Sequence, residues 1–190
     1  MVNIFLQTID VSACVGTESL LGSTLGEAHL PQLMAAVFRA KPGEVVFFDF
    51  TAVQVMTASY VAAAVLPILR MVTAGSLGRF LVFGNFQQMP LEELALVLGH
   101  EKLPILVGAP GSDLTVLGPL DQAYRETFQE VMRRGSVTAR DLLEGSLSPS
   151  IGLTGWIKRL TTLHALGLIQ RTKLGREFEY EPVVLEVDHG

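Results

Sequence analysis

The sequence predicts an α/β domain with a mixed sheet, followed by a small helical domain that ends in a two-stranded ribbon. In residues 1–118, short apolar segments alternate with segments of helical spacing, which is typical of a mixed or parallel sheet with helical cover. Gly118-Pro119-Leu120 forms a natural boundary. In residues 119–190, helical spacing gives way to period-two alternation near the end. We therefore expect two domains, 1–118 and 119–190.

The first part of the first domain is predicted to contain two strands and two helices. A first strand over 2–9 is followed by a segment, 14–24, that is either a turn or the second strand of a hairpin. Apolar residues at helical spacing predict a helix over 25–39. Residues 44–50 are almost wholly apolar, as in a strand that is buried on both faces. A helix over 59–73 should bend at Pro67.

The remainder of this domain repeats the pattern with shorter elements. Residues 80–83 predict a buried strand, and 90–98 predict a helix with proline in its first turn. Two short strands, 103–107 and 113–117, flank a Gly-Ala-Pro-Gly turn. Asp121 then caps a helix that continues to residue 134 and opens the second domain.

Two further helices follow in the second domain. Gly135 closes the preceding helix, and Thr138 with Asp141 resembles a capping box at the start of the next one. That helix has its apolar side at Leu142 and Leu143 and ends at Gly145. Ser148-Pro149 predicts the start of a longer helix, which Gly167 ends. Five residues of the longer helix are expected to face the core: Leu153, Trp156, Ile157, Leu160 and Leu163.

The chain closes with a predicted ribbon. Strands over 168–172 and 176–181 surround Lys173-Leu174-Gly175, which gives the ribbon a basic tip. Phe178 and Tyr180 alternate with glutamates, so we expect one buried face.

This order of helices and ribbon, over 137–184, resembles the winged helix-turn-helix of bacterial regulators of the MarR and ArsR type. The resemblance implies binding of double-stranded DNA, with the second helix of the pair in the major groove and a homodimer matched to two half-sites. Ser150 and Thr154 are then candidates for contacts to bases or phosphates. The candidates for phosphate contacts from helix and wing are Lys158, Arg159, Arg171, Lys173 and Arg176.

Charge leaves a second interpretation open. From residue 121 onward there are nine Lys and Arg against ten Asp and Glu, and the second wing strand carries three glutamates. Strong basic character is the usual footprint of a DNA-binding surface. The alternative is an adaptor of the anti-sigma antagonist type, whose winged helix binds protein and not DNA. Residues 1–120 carry five basic and nine acidic residues, which disfavours nucleic acid and favours protein contacts there.

The segment VVFFDFTAVQVMTASYVAAAVLPILRM, residues 45–71, is similar to the central strand, loop and helix of STAS domains, the fold of bacterial anti-sigma factor antagonists. Those proteins begin the helix with Asp-Ser-Ser-Gly and are phosphorylated on the first serine. Ala58 stands at that position here, so this switch does not carry over. Thr57-Ala58-Ser59-Tyr60 is closer to divergent STAS-like domains with a Thr-x-Ser-Phe pattern.

Two roles are open for Thr57 and Ser59. Either hydroxyl can cap the helix that begins there. Alternatively, they lie on a partner-docking surface and one of them is phosphorylated, since a phosphate is tolerated at a helix N-terminus.

Nothing in the sequence predicts an enzyme, a cofactor or a metal site. Phosphate-loop, dinucleotide-binding and nucleophile-elbow motifs are absent, and the four histidines are scattered. Asp49, at a strand end, is interpreted as a loop cap and not as a catalytic group. A weaker third hypothesis is an enzyme whose site is assembled between the domains.

Composition supports a cytoplasmic protein without a membrane partner. The sequence is 49% hydrophobic and 17% charged over 190 residues, which suits a sizeable core and disfavours disorder. Cys14 is the only cysteine and is expected to be a small core residue, so no intrachain disulfide can form. No signal peptide is visible, and the longest apolar run, 60–69, is too short to span a bilayer.

Overall fold

The computed structural model describes residues 6–73, 78–145 and 151–185, and it has a mixed α/β fold. The chain divides into two compact units, Met1–Pro119 with Val184–Gly190, and Leu120–Val183. In the described part of the chain, no helix is both long enough and apolar enough to cross a membrane. Residues 2–5 of the predicted first strand lie outside the described residues, as do Ser148-Pro149 and Ser150.

The first unit is built on a five-stranded sheet with the order β1-β3-β5-β6-β7. The first four strands are parallel, and β7 runs antiparallel to β6. The strands are β1 (Leu6–Asp10), β3 (Val45–Asp49), β5 (Phe80–Gly84), β6 (Ile105–Val107) and β7 (Thr115–Leu117). The mixed sheet agrees with the α/β prediction.

The described residues of the first unit also form several helices and one short strand pair. The helices are α1 (Val11–Val15), α2 (Gly22–Arg39), α3 (Ala58–Tyr60), a π-helical turn (Val61–Val65), α4 (Leu66–Thr73) and α5 (Gln88–Glu101). Strand β2 (Ser19–Leu20) pairs in parallel with β4 (Val55–Met56). The segment 14–24 is therefore not the second strand of a hairpin.

The core of the first unit is one cluster of buried apolar residues from α2, the π-helical turn, α4, α5 and the strands of the sheet. The prediction that β3 is buried on both faces is confirmed, since Val45 to Phe48 are at most 3% exposed. The rings of Phe48 and Phe83 stack with centroids 4.9 Å apart, which joins β3 to β5. This packing holds the carboxyl ends of the parallel strands, and the loops that follow them, at fixed positions.

The irregularity predicted at Pro67 occurs earlier in the helix. Pro67 lies within the regular helix α4, whereas the distortion is the π-helical turn Val61–Val65 that precedes it. A proline ring is hindered by the carbonyl four residues before it, which is that of Ala63. The wider turn therefore lies where a regular helix would be most crowded by Pro67.

Over the residues that the structure describes, the second unit has three helices and a three-stranded antiparallel sheet with the order β8-β10-β9. The elements are α6 (Gln122–Arg134), β8 (Val137–Thr138), α7 (Ala139–Glu144), α8 (Leu153–Ala165), β9 (Ile169–Leu174) and β10 (Glu177–Pro182). The buried apolar residues come from every one of these elements and include Phe128, Val131, Val137, Leu142, Trp156, Leu160, Leu163, Ile169 and Tyr180.

The predicted capping box at the start of α7 is confirmed. The Thr138 side chain accepts a hydrogen bond from the Asp141 backbone N–H, and the Asp141 carboxylate accepts one from the Thr138 backbone N–H. Gly135 has a φ of 80°, as expected for a residue that closes α6. The cap predicted at Asp121 is wrong in part, because its side chain makes no capping bond; its backbone carbonyl accepts the bonds from Tyr124 and Arg125.

Other predictions for the second unit are wrong. Helix α8 begins later than predicted, at Leu153, and Gly152 before it has an extended conformation with a ψ of 170°. Four residues that were assigned to the apolar or buried sides of their elements are 38–47% exposed: Leu143, Leu153, Ile157 and Phe178. The buried face of α8 is therefore narrower than predicted and consists of Trp156, Leu160 and Leu163.

We predict that Gly26→Ala destabilises the first unit. A methyl group at Gly26 would lie 2.8 Å from the Ala63 Cβ and 3.1 Å from the Tyr60 carbonyl oxygen, so α2 would have to move away from the π-helical turn. Overpacking of this kind costs about 1–3 kcal/mol, which exceeds the gain in helix propensity. Urea unfolding followed by circular dichroism measures the loss, while Trp156, the single tryptophan, reports the second unit separately by fluorescence.

The matched control is Gly99→Ala in α5, where an added methyl group meets open space. This change should be neutral or should stabilise the protein by up to about 1 kcal/mol. Equal losses from both substitutions would contradict the close packing of α2 on the π-helical turn.

Candidate functional site

The β9–β10 ribbon has a basic face. Arg171 pairs with Tyr180 and Lys173 pairs with Phe178 across the two strands. Directly paired residues project from the same face of a sheet, so both cations lie on the Phe178 and Tyr180 face. The guanidinium carbon of Arg171 lies 4.5 Å from the centre of the Phe178 ring, in agreement with this register.

The glutamates of β10 occupy the opposite face of the ribbon. Glu177, Glu179 and Glu181 pair with Leu174, Thr172 and Gln170. Glu177 binds Arg140 with an N–O distance of 2.9 Å, and Glu179 accepts a hydrogen bond of 2.5 Å from the Ser136 hydroxyl. The ribbon therefore separates its positive and negative side chains, although the second unit as a whole is nearly balanced in charge.

Helix α8 contributes a polar stripe near the basic face. The Thr161 hydroxyl lies 3.4 Å from the Tyr180 hydroxyl, which links α8 to the same side of β10 as Arg171 and Lys173. Thr154, Lys158 and Thr161 recur at helical spacing and are exposed. The helix and the ribbon together present hydroxyl groups and cations to solvent.

The other predicted contact residues have different surroundings. Arg159 is half-buried, and its guanidinium carbon lies 5.3 Å from the centre of the Trp156 ring. Arg176 is exposed beside Gly175, where the chain turns with a φ of 61°. Ser150 lies outside the described residues. Most of the predicted cations thus lie at the surface, while Arg159 is partly held by packing.

Arg134, which the sequence did not indicate as important, ties α6 to the turn after α7. It donates to Glu130 at 2.5 Å and to the carbonyl oxygens of Asp141 and Gly145 at 3.2 and 3.4 Å. Hydrogen bonds from Arg133 and from Arg134 lower the pKa of Glu130 to about 2, so the carboxylate stays ionised near neutral pH. This network joins the end of α6 to the end of α7 at Asp141 and Gly145.

An apolar groove lies between α7, α8 and β10 and was not anticipated from the sequence. Its volume is about 160 Å³. Leu153, Ile157 and Phe178, which were expected to be buried, line it together with Ala139, Arg140, Arg176, Glu177 and Tyr180. Three of the four apolar residues that are more exposed than predicted therefore share one concave surface.

In the first unit, Thr57 acts as the cap of the helix that begins at Ala58. Its hydroxyl oxygen accepts hydrogen bonds from the Gly22 N–H at 3.0 Å and the Tyr60 N–H at 3.4 Å. The exposed Ser59 hydroxyl lies 3.1 Å from the Thr57 hydroxyl. Thr57 thus joins the starts of two helices, whereas Ser59 is available at the surface.

A carboxylate already occupies this helix start. The Glu93 side chain, from α5, accepts a hydrogen bond of 2.7 Å from the Ala58 backbone N–H. A negative group is favourable there because the first N–H groups of a helix lack partners within the helix. The negative charge that a phosphate would bring to this turn is therefore partly supplied by Glu93.

Asp49 acts as a loop cap, as the sequence indicated. Its carboxylate accepts bonds from the backbone and hydroxyl of Thr51, at 2.9 and 2.6 Å, and from the Asn85 side chain at 3.0 Å. Partial burial raises the pKa of Asp49, but these hydrogen bonds outweigh it and the pKa lies below its usual value. The group is thus an ionised acceptor that holds two loops together.

Cys14 is only partly buried, and burial raises the pKa of its thiol, so the unreactive protonated form dominates near neutral pH. In the described ranges, no cluster of three or more His, Cys, Asp or Glu side chains is arranged to hold a metal ion.

Comparison with protein families, curated proteins and solved structures finds no match to this chain. Function is therefore inferred from the fold and from these surfaces alone. Within a mixed α/β fold, the second unit offers a basic face beside a helix and an apolar groove. The first unit offers an exposed serine beside a capped helix start.

We predict that Thr57→Ala destabilises the first unit by about 1–2 kcal/mol, because two backbone N–H groups lose their acceptor. Ser59→Ala should change stability by less than about 0.5 kcal/mol, since its exposed hydroxyl bonds only to Thr57 among the described residues. Urea unfolding of both variants tests the assignment. Similar losses from the two changes would show that Thr57 is not the residue that caps the helix.

Proposed function

We propose that the chain is a DNA-binding regulator without catalytic activity. In this proposal residues Leu120–Val183 form a winged helix-turn-helix that binds double-stranded DNA, and the STAS-like first unit binds a partner or senses a signal. The order helix, strand, helix, helix, strand, strand supports the first assignment. The observation that carries it is the separation of charge on the ribbon, because the glutamates do not share the face of Arg171 and Lys173.

On this proposal α8 enters the major groove and the ribbon follows the backbone. Thr154, with Ser150 before the helix, reaches base edges or phosphates. The residues that contact phosphates are Lys158, Arg159, Arg171, Lys173 and Arg176. A homodimer would present two such modules to half-sites related by twofold symmetry.

The first unit is proposed to dock a protein partner at the turn that contains Thr57 and Ser59. Thr57 is engaged in capping, so Ser59 is the better candidate for phosphorylation. A phosphate on Ser59 would bring nearly two negative charges toward the Glu93 carboxylate. Repulsion would weaken the bond between Glu93 and the Ala58 N–H and would alter the docking surface.

The second candidate is a protein-binding adaptor. The apolar groove favours it, because Leu153, Ile157 and Phe178 expose apolar surface beside the proposed DNA face. The nearly balanced charge of the second unit is also compatible with a protein partner.

We predict that the chain binds duplex fragments from the upstream region of its own operon, with an affinity that falls steeply as salt rises. Each phosphate contact releases a counterion, so Lys173→Gln should reduce the slope of log Kd against log salt by about 1. Fluorescence anisotropy of labelled duplexes at several salt concentrations measures the Kd and its salt slope for the unchanged chain and for the variant.

The control for this experiment is Lys41→Gln, which removes the same charge from an exposed position in the first unit. It should leave the salt slope unchanged. Absence of binding to any fragment at low salt would reject DNA binding and favour the adaptor. If Lys41→Gln and Lys173→Gln changed the salt slope equally, the basic face of the ribbon would not be the surface that contacts DNA.

We also predict that Ser59, and not Thr57, carries phosphate in protein isolated from the native host. Mass spectrometry across growth conditions tests this, with a Ser59→Ala strain as the control for site assignment. Protein unmodified at both hydroxyls under every condition would refute the modification.

A further inference from the structure

The groove between α7, α8 and β10 has an apolar floor that is unusual for an exposed surface. Leu153, Ile157 and Phe178 are 38%, 47% and 43% exposed, although they come from two different elements. Single exposed apolar residues are common, but three that line one concavity indicate a binding site.

The volume of the groove limits the size of the group that can bind in it. A volume of about 160 Å³ is close to that of an apolar cavity that holds a benzene-sized molecule. Most ligand pockets are larger, at about 300 Å³ or more. The groove therefore fits one bulky apolar side chain, the usual anchor of a peptide at a protein surface.

The charges along the groove are mainly positive. Arg140 and Arg176 line it, against the single carboxylate of Glu177. Arg140 is paired with Glu177, whereas Arg176 has no carboxylate within ion-pair distance in the part of the chain that the structure describes. A ligand that carries a carboxylate beside its apolar anchor complements this rim.

We propose that this groove binds a segment of a partner protein that carries one bulky apolar side chain next to an acidic residue. The apolar side chain lies against Leu153, Ile157 and Phe178, and the acidic residue faces Arg176. This inference does not depend on DNA binding. If α8 also binds DNA, the groove adjoins the residues that would contact the duplex, so a bound partner segment hinders DNA binding and the partner acts as an inhibitor of the regulator.

The test uses the full chain and a random-peptide phage library. Selection should enrich peptides with a Leu, Ile, Phe or Trp adjacent to Asp or Glu. One enriched sequence is then made as a fluorescent peptide and measured by anisotropy, with two variants in which either the anchor is alanine or the acidic residue is lysine. Both variants should bind at least about tenfold more weakly, which corresponds to loss of a buried side chain or a charge pair.

Protein variants locate the site. Ile157→Ser and Phe178→Ser should each weaken the peptide by about tenfold or more. Leu174→Ser should not, because Leu174 is 57% exposed and lies outside the groove lining. Circular dichroism checks that each variant is folded, and Leu153→Ser replaces any variant that is not.

Several results would overturn the proposal. These are enrichment of no peptide, binding that survives every groove substitution, or a preference for lysine beside the anchor. If no peptide binds but Ile157→Ser weakens duplex DNA, the groove is part of the DNA interface. Because peptide binding is measured without DNA, its failure is separate from failure of the proposed DNA-binding function.

Discussion

The register of β10 is the constraint on which the second unit depends. This strand pairs with β8 on one side and β9 on the other, so Tyr180 lies opposite both Val137 and Arg171. Side chains alternate between the two faces of a strand, and a shift by one residue would exchange the faces completely. The observed register buries Tyr180, separates the glutamates from Arg171 and Lys173, and places Phe178 in the apolar groove.

The first unit uses its polar groups differently. Thr57, Glu93 and Asp49 satisfy backbone N–H groups or hold loops at the ends of elements. Such bonds are needed because a buried polar group without a partner costs about 1–3 kcal/mol. Next to the capping Thr57, the Ser59 side chain is exposed to solvent.

Much of the fold could be predicted from local patterns in the sequence. The apolar strand at Val45–Asp49 and the capping box at Thr138 depend on neighbouring residues, and both were predicted. The groove could not be predicted, because Leu153 and Ile157 follow helical spacing as well as Trp156 does. Which apolar residues are covered depends on how the helices and strands of the second unit pack together, and that is a tertiary property. The separation of charge likewise required the strand pairing, since the sequence shows glutamates and cations close together.

The most direct test of the central claim is a two-dimensional ¹⁵N–¹H NMR titration of the full chain with a generic DNA duplex at low salt. The proposed interface predicts that the perturbed amides lie in α8, in β9 near Arg171 and Lys173, and at the hairpin around Arg176, and that these perturbations decline as salt is added. Perturbations centred on α6, or on the β8 side of the sheet where Glu179 bonds to Ser136, would contradict it. So would the absence of any perturbation.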